Sequence, residues 1–151
     1  MNHPKIGIIL GSASDAPHAQ KIGATLRELG IPFEVTVASA HRTPEDAAHY
    51  AQSARSRGLE AIIAVVGLSA ALPGAVAAQT TLPVIGVPVE SGTLLGMDAL
   101  LSTAMMPPGV PVASVGINGA ANAALLAARI VSVHDGAVAE KLQSYADEKA
   151  A

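Results

Sequence analysis

Residues 33–44 read Phe-Glu-Val-Thr-Val-Ala-Ser-Ala-His-Arg-Thr-Pro, and the fold turns on how that stretch is read. A largely apolar run over 33–37 meets the polar turn Ser39-Ala40-His41-Arg42-Thr43-Pro44, and a helical pattern begins near Glu45. A short buried strand, a turn and a helix start are therefore expected in one place. Thr43 is expected to cap the helix, with Pro44 at its first position. Packing explains a His and an Arg in such a turn poorly, and the small Ser39 and Ala40 leave room for a ligand. A plain N-cap turn with two solvated side chains has the same residues, so the rest of the chain must decide.

Outward from this stretch the same strand–turn–helix unit recurs. Upstream, the apolar run 5–10 leads into Gly11-Ser12-Ala13-Ser14-Asp15 and a helical pattern over 16–29, with Ile22, Leu26 and Leu29 on one face and Gly30 as its stop. Ser14 or Asp15 is a good N-cap for that helix. Downstream, the helix after Pro44 is expected to run to about residue 57 and end at Gly58. A third strand is expected over 61–66, a turn over 67–74 and an Ala-rich helix to about residue 79. A strand over 83–87, a loop over 88–96 and a helix over 97–103 follow. After Pro107-Pro108-Gly109 come a fifth strand over 110–115, the turn 116–119, a helix over 120–133 and an amphipathic stretch over 138–149.

Continuous apolar strands that alternate with helices, with no linker between them, imply a parallel sheet covered on both faces and right-handed crossovers. The expected architecture is a flavodoxin-like three-layer αβα sandwich with five parallel strands, in one domain over 1–151. Its last helix, 136–151, is expected to pack on a neighbouring subunit. Ligands of such sheets bind beyond the carboxyl ends of the strands, near the switch point. The turns at 11–15, 38–43, 67–73, 88–96 and 116–119 would share that rim.

Composition narrows the function. Half of the 151 residues are hydrophobic, yet only 2% are aromatic and 14% charged. The core must be built from Ala, Val, Ile and Leu, and too few charged groups remain to cover the surface, which predicts a homo-oligomer. A net charge of −3 and scattered cations argue against nucleic acid as a partner. The absence of cysteine excludes disulfides and thiolate chemistry and fits a cytoplasmic setting. The N-terminal residues do not read as a signal peptide. The most apolar stretch, 61–78, is broken by Gly67, Pro73 and Gly74, so no membrane partner is expected.

The turns carry the candidate chemistry. The first offers two serine hydroxyls, tight backbone amides and a helix start, a combination that suits a phosphate, although capping alone also explains it. There is no P-loop and no dinucleotide fingerprint. Arg42 presents a planar fork for a phosphate or carboxylate. His41 can exchange a proton near neutral pH. Asp15 suits sugar hydroxyls and should face the ribose end of a ligand, because it would repel a phosphate. His3, His18, His49 and His134 show no metal-ligand spacing, so no metal is expected. No G-x-S-x-G elbow suggests a serine hydrolase. A receiver domain would need an acidic pair where Leu10-Gly11 stands.

Read together, Gly-Ser-Ala-Ser-Asp at 11–15, Ser-Ala-His-Arg-Thr-Pro at 39–44, Leu-Pro-Gly at 72–74 and Gly-Ala-Ala-Asn-Ala-Ala-Leu-Leu-Ala-Ala at 119–128 resemble the PurE family. These are the N5-carboxyaminoimidazole ribonucleotide mutases of purine biosynthesis. The resemblance runs from about residue 5 to 134 and takes in the segments 82–89 and 106–112. It implies a flavodoxin-like octamer with active sites between subunits, no metal or organic cofactor, and an aminoimidazole ribonucleotide as small-molecule substrate. By this resemblance Ser12, Asp15, Ser39 and Arg42 hold the ribose phosphate and His41 is the general acid/base. Ser14, Gly67, Ser69 and Leu72 complete the substrate-binding set. The implied reaction moves a carboxylate from the exocyclic nitrogen to carbon 4 of the imidazole, through carbon dioxide held in a closed site.

The third turn departs from the bacterial mutases, which carry a histidine before Leu-Pro-Gly where this chain has Ala71. Animal-type members, which carboxylate aminoimidazole ribonucleotide directly with carbon dioxide, have a Gly-x-Ser-x-Ala-Leu turn, and Gly67, Ser69, Ala71 and Leu72 match it. The turn before residue 119 is also shorter and lacks the lysine usual in the mutases, whereas Arg42 and Pro44 match the mutase form. The implied function is the mutase. The alternatives are the direct carboxylase, a carboxylase or decarboxylase of another heteroaromatic nucleotide, and a catalytically idle nucleotide-binding protein.

Overall fold

The computed structural model describes residues 3–151; of the domain expected over 1–151, Met1 and Asn2 lie outside the described residues. Its centre is a sheet of five strands: β1 (Ile6–Leu10), β2 (Phe33–Val37), β3 (Ala61–Val66), β4 (Val84–Pro88) and β5 (Ala113–Ser114). The strand order is β2-β1-β3-β4-β5, and every pairing among these strands is parallel. Six helices accompany them: α1 (Ala16–Glu28), α2 (Pro44–Ala54), α3 (Leu72–Ala77), α4 (Met97–Ala104), α5 (Ala120–Ser132) and α6 (Gly136–Ala150).

Strand alternation divides the apolar side chains between two cores. Ile6, Ile8 and Leu10 of β1, with Ile63, Val65, Ile85 and Val87, pack against α1, α5 and Val138 of α6. Ile9, Ile62, Ala64 and Val84 turn the other way, against Ala47, Ala51 and Ala54 of α2 and Leu72 and Val76 of α3. The result is the expected flavodoxin-like three-layer sandwich with a five-stranded parallel sheet. The near absence of large aromatic side chains is met by close approach. Ala123, Ala124, Ala127 and Ala128 give α5 a smooth, fully buried face.

Several boundaries differ from expectation. β2 is an edge strand rather than a buried one: Val35 and Val37 are 47% and 54% exposed, because the sheet ends there. β5 shrinks from 110–115 to two paired residues, since Pro111 within that span cannot donate to a ladder. α2 stops at Ala54, with the chain turning through Arg55 to Gly58, whose φ of +90° an L side chain rarely adopts. α3 spans only Leu72–Ala77, so Leu-Pro-Gly lies inside its first turn rather than before it. The expected caps also differ. Thr43 and Asp15 stand at the N-cap positions of α2 and α1, but neither side chain makes a capping bond. The Thr43 hydroxyl closes the preceding turn instead, and Ser12 caps a single 3-10 turn over Ala13–Asp15.

The glycine of β4 shows how tight the second core is. A Cβ on Gly86 would collide with Thr103 Cγ2 of α4 and lie 3.4 Å from the Pro73 ring of α3. Thr103 is fully buried and Pro73 is held in a helix, so neither has room to retreat. Gly86→Ala is expected to cost roughly 1–3 kcal/mol of stability by overpacking, read as a lower urea midpoint at unchanged slope. A wild-type midpoint would mean that α4 yields freely.

Candidate active site

The site lies at the carboxyl end of the sheet, around the switch point between β1 and β3. Four turns surround one open cavity of about 520 Å³: those after β1, β2 and β3, and the loop after β4. The fifth, at 116–119, does not line it. It braces the fourth instead. Asn118, at φ +59°, donates its backbone N–H to the Pro88 carbonyl at 2.8 Å, and its Oδ1 accepts from Glu90 N at 3.0 Å.

The first two turns are built alike. Ser12 Oγ accepts from the Ser14 backbone N–H at 3.3 Å and from the Ser14 hydroxyl at 2.9 Å. Ser39 Oγ accepts from the backbone N–H groups of His41 and Arg42 at 3.3 and 3.1 Å. Ser39 N–H donates to Thr43 Oγ1 at 2.9 Å, and that hydroxyl donates back to the Ser39 carbonyl at 3.3 Å. A hydroxyl has two acceptor lone pairs and one hydrogen. In Ser12 and Ser39 the turn occupies both lone pairs, and among the described residues neither hydrogen has an acceptor. Both hydroxyls thus keep a hydrogen to donate, and both line the cavity together with Arg42.

All the residues singled out in the sequence line this cavity. Ser12, Ser14 and Asp15 come from the first turn and Ser39, His41 and Arg42 from the second. Gly67, Ser69 and Leu72 come from the third, together with Ala71. Ser14 differs from Ser12 in that its hydroxyl hydrogen is already given to Ser12. Gly67 has little room for a side chain, since a Cβ there would lie 3.2 Å from Ser91 Cβ. Ser69 takes the left-handed backbone conformation, φ +48°, a strained choice for a non-glycine residue and common where a loop is shaped for a ligand.

Three polar lining residues escaped the sequence reading: His18, Glu90 and Ser91. Glu90 and Ser91 sit in a loop expected on the rim but without a motif to mark them. His18 sits one turn into α1, three residues past Asp15, where a helix places side chains over its own start. That spacing was the available signal.

Asp15 bears the electrostatic strain of the site. Burial pushes its carboxyl above the ordinary value, and the His18 charge and the Ser12 backbone pull it back only in part. A raised carboxyl holds its proton more tightly folded than unfolded. Stability therefore falls as pH rises from the ordinary carboxylate range through the folded value, and the ionised side chain remains a burden at neutral pH. Asp15→Asn is expected to raise the urea midpoint at pH 7 and to lose that advantage near about pH 3.5, where Asp15 is itself protonated. Equal midpoints at pH 7 would remove the strain.

Among the described residues, no helix is long and apolar enough to cross a membrane, and no group of three or more His, Asp or Glu side chains could hold a metal ion. Comparison with known proteins places the chain. The sequence pattern of the family described as AIR carboxylase matches residues 5–151. The chain is 52% identical over 142 residues to the N5-carboxyaminoimidazole ribonucleotide mutase of Pyrococcus horikoshii, covering 94% of this chain and 80% of that one. It is 51% identical over 145 residues to the phosphoribosylaminoimidazole carboxylase of Saccharomyces cerevisiae, covering 96% of this chain and 25% of that longer protein. The crystal structure of Treponema denticola PurE superposes with a TM-score of 0.86 at 35% identity, over 97% of this chain and 92% of that one. With its fold and half its residues shared along almost its whole length, the chain belongs to the AIR carboxylase, or PurE, family.

Proposed function

We propose that this protein is an N5-carboxyaminoimidazole ribonucleotide mutase, an isomerase of de novo purine biosynthesis. The observation that carries the reading is the pair of serine hydroxyls, Ser12 and Ser39, each held by its own turn with a hydrogen left to donate, on one cavity with Arg42 and His41. Two hydroxyl donors, a guanidinium fork and the start of α1 make a cradle for a ribose phosphate. Asp15 then takes the sugar hydroxyls, which need an acceptor, and Ser14 holds Ser12 in place. Gly67, Ser69 and Leu72 form the wall against the imidazole ring. The identity to named mutases over nearly the whole chain supports the same reading.

The chemistry asks little more of the protein. The bond between the exocyclic nitrogen and its carboxylate breaks, and the nitrogen gains a proton. Carbon 4 attacks the carbon dioxide so released, a carbon–carbon bond forms, and the proton on carbon 4 must leave. One proton is consumed and one is produced, so a single imidazole returns to its starting state each turnover. His41 is that shuttle, and the small-residue wall around Ala71 keeps the carbon dioxide near carbon 4.

Ala71 also favours a second reading. It stands where the mutase pattern has a histidine, and the turn around it matches the form that carboxylates the ribonucleotide directly. Supplying the purified protein with the N-carboxylated nucleotide, then with the uncarboxylated nucleotide and bicarbonate, separates the two. Turnover of the first alone is expected. Carboxylation only from the second would make the protein a carboxylase, and binding without turnover of either would make it idle. His41→Asn is expected to lower kcat by at least about 10²-fold with nucleotide affinity largely kept. Wild-type rates would remove His41 from the mechanism.

The working form is a cytoplasmic homo-octamer, with one domain per chain and α6 partly applied to a neighbour. Val138 of α6 is buried in its own chain and Leu142 and Tyr145 are partly so, which leaves the opposite face of the helix open. Leu101 and Met105 of α4, 53% and 77% exposed, and the uncovered β2 edge are the apolar surface an assembly would bury. Light scattering is expected to give a mass near eight times the 15.1 kDa chain. A 15 kDa species at micromolar concentration would overturn the assembly.

A further inference from the structure

This inference rests on the nucleotide reading above and concerns a residue that reading leaves without a part. His18 lines the cavity, and its Nδ1 is shielded from solvent with no hydrogen-bond partner among the described residues. A shielded polar atom without a partner is destabilising unless a ligand or a change of charge compensates it. The charged and titratable groups that face the same cavity are Asp15 on its own helix start, His41 and Arg42 on the second turn, and Glu90 on the fourth. Apart from the two imidazoles, two carboxylates stand against one guanidinium. Glu90 accepts from Asn118 Nδ2 at 3.4 Å, which steadies its charge without cancelling it. Such a lining is net negative, yet it must admit a ribose phosphate and a substrate carboxylate.

We propose that His18 is a positioning residue of the anion cradle that takes up a proton from solvent as the nucleotide binds. The imidazolium pairs with Asp15, so the carboxylate stays ionised for the sugar hydroxyls while its repulsion of the phosphate is offset. His18 and Asp15 are near enough to couple, since a protonated His18 draws the Asp15 carboxyl down. Because the protonated form binds best, affinity is present at lower pH and is lost as pH rises through neutrality. His18 makes no contribution to the proton moved at carbon 4.

The test is calorimetric titration with the product nucleotide, 4-carboxy-5-aminoimidazole ribonucleotide, at pH 6.5 and 8.5 in buffers of different ionisation heat. Wild type is expected to take up a proton and to weaken with pH, by at most about tenfold per unit for one proton. His41→Asn should keep that uptake. His18→Gln should lose it, bind about tenfold more weakly at pH 6.5, and raise KM with kcat little changed. His18→Lys, permanently charged, should restore affinity and hold it flat between the two pH values. Uptake in His18→Gln equal to wild type would overturn the inference. Should His18→Gln fail to fold, His18→Lys decides: flat affinity supports the inference, and wild-type pH dependence overturns it. Wild-type binding without proton uptake overturns this inference alone, whereas no binding at either pH overturns the proposed function and this inference with it.

Discussion

Parallel strands covered on both faces leave their backbone only two places to meet solvent, the rims of the sheet. In this chain β1 and β3 lie side by side in the middle, with helices on both sides. Every turn after a strand is driven to the same rim, and each following helix starts there with unpaired backbone N–H groups pointing outward. The cavity exists because β1 and β3 send their helices to opposite faces, and the turns part between them. A change that thickened a strand residue such as Gly86 would disturb the layers before it reached a turn.

The rim is then refined by local hydrogen bonding. The first and second turns each contain a serine whose lone pairs are filled by the backbone just ahead of it. This does two things at once. It satisfies loop N–H groups that would otherwise compete for a ligand, and it leaves one hydroxyl hydrogen to donate. Donors fixed before a ligand arrives avoid the reorganisation that a flexible side chain would need. Asp15 is the counterpart: an acceptor on the same cavity whose burial makes its charge costly. Donors and acceptor share one cavity, as the ligand proposed above requires.

The small-residue composition also follows from the architecture. Alanine faces on α2 and α5 bring the helices close to the sheet, and glycine in β1 and β4 admits Tyr50 and Thr103 from the other layer. Few large side chains are then needed to fill the layers. The corollary is a surface short of charge, with leucine and methionine left open on α4 and valine on the β2 edge. The same economy of side chains that packs the layers supports the assembly proposed above.

Much of this was legible in the sequence. The strands at 33–37 and 61–66 have the bounds their apolar runs suggested, and the turns at 11–15, 39–43 and 67–71 were recognisable from small polar residues between buried elements. What failed was whatever depends on neighbours. The pattern of Phe33–Val37 does not say that nothing covers Val35 and Val37, because edge position is set by strand order rather than by composition. Pro111 was visible, yet its effect on β5 depends on which strand lies beside it. Thr43 and Asp15 looked like caps, but tertiary geometry gave the Thr43 hydroxyl to Ser39 and left Asp15 open to His18. Local sequence determined the elements, their order and the chemical types on each turn, because those follow from backbone periodicity and turn chemistry. Only the packed sheet decided that five turns separated along the chain meet at one rim, and that His18 and Glu90 face the same space as His41, because that proximity is a property of layers and not of spacing.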